Sequence, residues 1–354
     1  MIYYKNFYYS LPTKLPETRA ASRNWINMIG CYVTGILPRP EELIAATRSY
    51  TRGHIDRGAL EKAFIDATMK IIETQSAFGF TYLTDGMLRW QDLLRPFIEG
   101  LNGVETGSLS RWFNNNTFYR KPIIVRNMRR KKNIIEKASH IKGLSKKRSW
   151  KAILPAPYTF AQLSEDRVYR DQTEFMFEYA KILREEVESL GKRGCKYVQL
   201  SDPALVYNLT ATPIRKDHME SVEEALKVAI GGLPMRTCLQ TFFGDFLRIS
   251  PEALDFPVDD LGIDLYETDL EQLKEYSFEK GIALGLVDSR NSLVEKPDEL
   301  VEVTREIVGS IYSSRIGEVF ICPNCDFEYL PWQRTEQKMR SISVATDRLR
   351  DEFS

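Results

Sequence analysis

Cys322 and Cys325 form a CxxC near the C-terminal end of the chain. Such a pair is half of a zinc site or a redox couple. Zinc takes four ligands, usually thiolate, imidazole or carboxylate. Glu267 and Cys238 are the other donors expected on the same face. The three histidines, His54, His140 and His218, sit in helical or loop contexts, away from the ends of apolar runs. The competing reading is a set of buried, inert thiols. Further polar residues follow short apolar runs: Arg89 and Trp90, Ser201 and Asp202, Gln240, then Asp288 and Arg290.

Something must hold these residues together. Apolar runs at 28–33, 78–83, 151–154, 196–200, 235–240, 261–265, 282–287 and 318–322 have the length of buried strands. Helical patterns lie between them, at 57–74, 171–190, 221–229, 270–280 and 298–310. Strands alternating with helices predict parallel βαβ units, and eight of them predict a (β/α)8 TIM barrel. A doubly wound open sheet is the competitor. In a barrel the chemistry sits where the strands end.

Two stretches exceed eight plain units. Residues 1–27 are rich in tyrosine and read as an N-terminal arm, with the barrel domain over 28–354. Residues 86–150 form a long excursion after the second strand, expected to overhang the C-terminal face as a lid or wall. It is expected to contain a short strand at 122–125.

Composition narrows the function. The 354 residues carry 49 basic and 49 acidic side chains, so the net charge is zero and a globally basic nucleic-acid binder is excluded. The excursion is the exception: from Arg126 to Lys151 there are eleven Lys or Arg and one acid, Glu136. That run is either a solvated face or a surface for an anionic partner. Aromatics at 11% give the chain enough to bury. Five cysteines, an odd number, point to a reducing, cytoplasmic setting. No run of about 18 apolar residues predicts a membrane span.

The strand-end motifs together resemble the cobalamin-independent methionine synthase family. They are Gly35-Ile36-Leu37-Pro38-Arg39-Pro40, Thr84-Asp85-Gly86, Gln199-Leu200-Ser201-Asp202-Pro203, Thr241-Phe242-Phe243-Gly244-Asp245, Gly285-Leu286-Val287-Asp288 and Pro323-Asn324-Cys325. The resemblance implies a (β/α)8 barrel and methyl transfer from a methylated folate or related pterin to a thiol such as homocysteine. It also implies a zinc ion that activates the thiol. Glu267 and Cys325 match two of the family's ligands, with Cys322 or Cys238 as substitutes for others. Gln240 stands at the position of the ligand His and Phe242 at that of the first Cys, so the zinc site is degenerate. The resemblance further assigns Asp202 and Asp288 to catalysis, and Arg89, Trp90, Ser201, Gln240 and Arg290 to substrate or donor binding. Family polar groups for an amino acid are replaced by Ile36 and Met87. Thr241-Phe242-Phe243-Gly244-Asp245 is similar to the barrel of full-length members that lacks zinc. The alternative is therefore a non-catalytic pterin-binding barrel that partners a paralogous zinc-bearing subunit.

Overall fold

The computed structural model describes residues 28–113, 115–131, 133–144, 149–207, 216–311 and 317–353. The expected arm, residues 1–27, lies outside them. Seven parallel strands form one sheet: β1 (Met28–Cys31), β4 (Lys151–Pro155), β6 (Tyr197–Ser201), β7 (Arg236–Gln240), β8 (Asp260–Asp264), β9 (Gly281–Val287) and β10 (Glu318–Pro323). They run in the order β1-β10-β9-β8-β7-β6-β4. Strands β4, β6, β7, β8 and β9 are buried, β7 save for Arg236 at its start, as a parallel sheet covered by helices requires.

The sheet curls, and its two edges meet the same piece of chain. Thr81 N donates to Cys31 O at 2.9 Å, beside β1. Leu83 N donates to Ser149 O at 3.1 Å and Lys151 N to Leu83 O at 3.0 Å, beside β4. The fold is thus α/β with a curled, TIM-like parallel sheet. The run at 78–83 does not become the strand expected of it. The helix Arg57–Ala77 ends on Phe78, and Gly79 turns the chain at φ +66°, so among the described residues the run makes a single bridge, between Leu83 and Trp150. The 270–280 pattern likewise shortens to the helix Leu270–Leu273.

The excursion holds a hairpin rather than one short strand. β2 (Leu101–Arg111) pairs antiparallel with β3 (Phe118–Arg130), and the short β5 (Glu165–Asp166) adds to β3 in parallel. Its connecting end reaches the end of the sheet. The Phe113 ring lies 5.1 Å from Tyr207 and 6.0 Å from Phe243, which follow β6 and β7. The basic run is partly absorbed by folding. Arg130 pairs with the buried Glu186 at 2.6 Å, and Lys151 points into the sheet's interior.

Candidate functional site

Side chains alternate along a strand, so each strand of the curled sheet sends every second residue inward. The inward residues form two layers. The deeper layer is Tyr32, Tyr197, Cys238, Ala283, Phe320 and Cys322. The Tyr32 hydroxyl lies 3.3 Å from that of Tyr197 and 3.8 Å from Cys238 Sγ. Cys322 Sγ lies 3.5 Å from Leu284 O. Lys151 Nζ sits 3.3 Å from the centre of the Tyr32 ring and donates to Gln199 Oε1 at 2.6 Å and Val33 O at 3.2 Å. Burial lowers its pKa to about 7, and burial pushes the Cys238 thiol up to about 12.

The layer above faces the mouth. Gln199 Nε2 donates to Ser201 Oγ at 2.9 Å and to Thr34 O at 2.6 Å. Gln240 is fully buried, yet neither its Oε1 nor its Nε2 has a hydrogen-bond partner among the described residues. Its side chain leans over Gly262, where a Cβ would stand 2.2 Å from Gln240 Oε1. A side chain at 262 would have to push that amide aside. Asp264 accepts from Phe243 N at 3.2 Å, Tyr266 N at 3.1 Å and Asn324 Nδ2 at 3.2 Å. Burial raises its pKa to about 6, against the pull of Arg290. Asp202 accepts from Thr159 Oγ1 at 2.6 Å, while its buried Oδ2 has no partner among the described residues. Burial raises its pKa to about 7. Two buried polar side chains with bonds left unmade mark a place where a ligand can make them.

The loop after β9 is latched to the loop after β10. Ser289 N donates to Asn324 Oδ1 and Ser289 Oγ to Cys325 O, both at 2.9 Å. Arg290 N donates to Asp288 Oδ1 at 2.9 Å. The latch delivers the Arg290 guanidinium to Glu267, with Nη1 2.8 Å from Oε1, and places it within electrostatic reach of Asp264 and Cys325. Its Nε lies 3.7 Å from Asp288 Oδ1.

Of the residues singled out in the sequence, Ser201, Gln240, Glu267, Asp288, Arg290 and Cys325 gather at this end of the sheet. Asp202 stands beside them, against Thr159. Cys238 and Cys322 lie a layer deeper. Arg89 faces the helix Arg57–Ala77 instead, in a bidentate pair with Glu61 at 3.1 and 2.7 Å. Trp90 is buried and donates from Nε1 to Ser139 Oγ at 3.3 Å. It also lines a cleft of about 960 Å³ with Arg39, Glu328 and Trp332. Glu328 there is raised to about 8 by burial and by the neighbouring Asp326. Sequence reading missed Asp264 and Lys151. Asp264 stood one step inside an apolar run, and Lys151 was hidden at the end of a basic run that reads as surface.

A family-type zinc site does not fit these residues. Glu267 is held by a guanidinium, Phe242 offers no donor atom, and an amide is a poor zinc ligand. Among the described residues no three His, Cys, Asp or Glu side chains are placed to hold a metal ion.

A curled parallel α/β sheet with polar side chains at its strand ends is the architecture of the TIM-like barrels. The family model described as the cobalamin-independent synthase catalytic domain matches residues 29–348, and the chain belongs to that family. It is 28% identical over 327 residues to a methionine synthase of Saccharolobus solfataricus, covering 91% of this chain and 95% of that one. It is 25% identical over 324 residues to a methionine synthase of Sulfurisphaera tokodaii, covering 91% and 92%. Among solved structures, it is similar to a B12-independent methionine synthase from a Shewanella species in complex with selenomethionine. That likeness has a TM-score of 0.76 at 20% identity and covers 93% of this chain and 98% of that one. A second, from Listeria monocytogenes, gives 0.69 at 18% identity, covering 91% and 99%. Among the described residues no helix is long and apolar enough to cross a membrane.

Proposed function

We propose that this chain is an S-methyltransferase built on a (β/α)8 barrel closed by residues 81–83. It moves a methyl group from a methylated folate or related pterin to a thiol such as homocysteine, at a site without resident zinc. The observation that carries the reading is the buried, unpartnered amide of Gln240 at the mouth, in a chain of this family whose strand-end carboxyls Asp202 and Asp264 are also buried. In the reaction the thiol loses its proton, the S–CH3 bond forms, the donor's C–N bond breaks and the donor nitrogen takes up a proton. Asp264, buried within the electrostatic influence of Arg290 and with a pKa near 6, receives the thiol proton. Asp202, with a pKa near 7, holds a proton on its unpartnered oxygen and returns it to the donor nitrogen. Gln240 and Ser201 orient the ligand by hydrogen bonds.

The test is methionine formation from a methylated folate and homocysteine in the presence of a chelator. Product that falls steeply in Asp202→Asn and Gln240→Ala supports the reading. A second reading rests on the degenerate donor set: a pterin-binding barrel that partners a zinc-bearing paralogue. Donor binding without turnover, with turnover restored by such a paralogue, favours it. A chain that binds no methylated pterin excludes both.

A further inference from the structure

We infer that Arg290 is the resident cation of this site and closes the metal position, so that the chain is built to work without a metal ion there. The inference deepens the reading above, but its test does not depend on methyl transfer. The Arg290 guanidinium and the Glu267 carboxylate meet at 2.8 Å, which occupies the carboxylate that zinc would need. A guanidinium does not lose its proton in proteins, so it cannot vacate the carboxylate by becoming neutral. The backbone that carries it is held by the fold. Asn324 bonds to Asp264 on one side and to Ser289 N on the other. Ser289 in turn bonds to the Cys325 carbonyl. Arg290 is thus the next residue after a loop that is stapled to the cysteine-bearing loop. Its Nε faces Asp288 at 3.7 Å, and its guanidinium carbon lies 6.0 Å from the centre of the Phe243 ring. One positive charge therefore serves Glu267, Asp264 and Asp288 together. The neighbouring positions agree with this. Phe242 is buried with no donor atom, and Gln240 carries an amide that neither gives up nor needs a charge. The two thiols that could have substituted, Cys238 and Cys322, lie in the deeper layer among Tyr32, Tyr197 and Phe320.

The experiment uses the full chain and cobalt(II) as the probe, because a thiolate–cobalt bond has a charge-transfer absorption. Three proteins are compared: the wild type, Gln240→His/Phe242→Cys, and the same pair with Arg290→Ala. The expected result is no thiolate–cobalt band in the first two and about one cobalt per chain in the third, since only there are donors present and the cation removed. The inference is overturned if the two-substitution protein binds cobalt as tightly as the three-substitution one. Zinc content of the wild type, purified without chelator, keeps the inference falsifiable even if the variants do not fold: about one zinc per chain, lost in Cys325→Ser, overturns it.

Discussion

Arg290 Nη1 and Glu267 Oε1 lie 2.8 Å apart at the mouth of the sheet, joining the loops that follow β9 and β8. Their side chains are 30% and 36% exposed, so water screens the pair. Its contribution to stability is therefore small, under about 1 kcal/mol. Glu267→Gln and Arg290→Ala are each expected to shift the urea midpoint slightly, with a double-mutant coupling of the same small size. A coupling of about 3 kcal/mol or more belongs to a desolvated pair and contradicts this.

Asp202 gives stability a pH dependence of known sign. Its pKa is about 7 in the folded protein against an ordinary 3.8, so the folded state holds the proton more tightly. Its contribution is full below about pH 4 and is lost as pH rises to about 7, on the order of 4 kcal/mol at most. Asp202→Asn should remove that fall. Chemical denaturation of both proteins across pH 4–8 checks it; parallel curves would refute the assignment.

Lys151 acts in the next window and with the opposite sign. Burial lowers its pKa from 10.5 to about 7, so the unfolded chain binds the extra proton between those values. Stability should rise with pH from about 7 to about 10 on this account. Lys151→Met should abolish the rise while leaving Gln199 without its strongest donor. Unfolding midpoints of the two proteins from pH 6.5 to 10 measure it.

Gly262→Ala is expected to cost about 1–3 kcal/mol, because the new methyl collides with the Gln240 amide inside a packed layer. Removing that amide should relieve the clash. Gln240→Ala in the Gly262→Ala background should therefore restore part of the loss, read as a non-additive double-mutant cycle. Strict additivity would mean that the two residues do not touch.

Phe113 tests the overhang of the hairpin. Its ring contacts Tyr207 and Phe243 across the mouth, and it sits on the strained side of the backbone map at φ +42°. Phe113→Ala should weaken binding of a methylated pterin by roughly tenfold, the effect of losing one aromatic contact, with Tm little changed. Unchanged binding, measured by titration calorimetry, would remove the hairpin from the site.

Seven of the eight expected strands could be read in the sequence because each is a short apolar run of fixed length between helical patterns, and burial on both faces leaves that mark. The eighth could not. The 78–83 run is as apolar as the others, but a helix end and Gly79 consume half of it. The hairpin partner 101–111 was invisible, since it is polar, glycine-bearing and largely exposed, with no apolar alternation to betray it. Cys325, Glu267 and Arg290 were legible as residue types at strand ends.

Their relation was not legible. Side-chain identity and strand order determined that a carboxylate, a thiol and a guanidinium would reach one end of the sheet. Only the tertiary structure decided that the guanidinium takes the carboxylate, that the thiol is buried, and that Cys238 and Cys322 fall a layer below. Spacing along a chain fixes which strand a residue leaves from. The stagger between strands and the latch at Ser289 fix what it meets, and those distances of a few ångströms set the electrostatics.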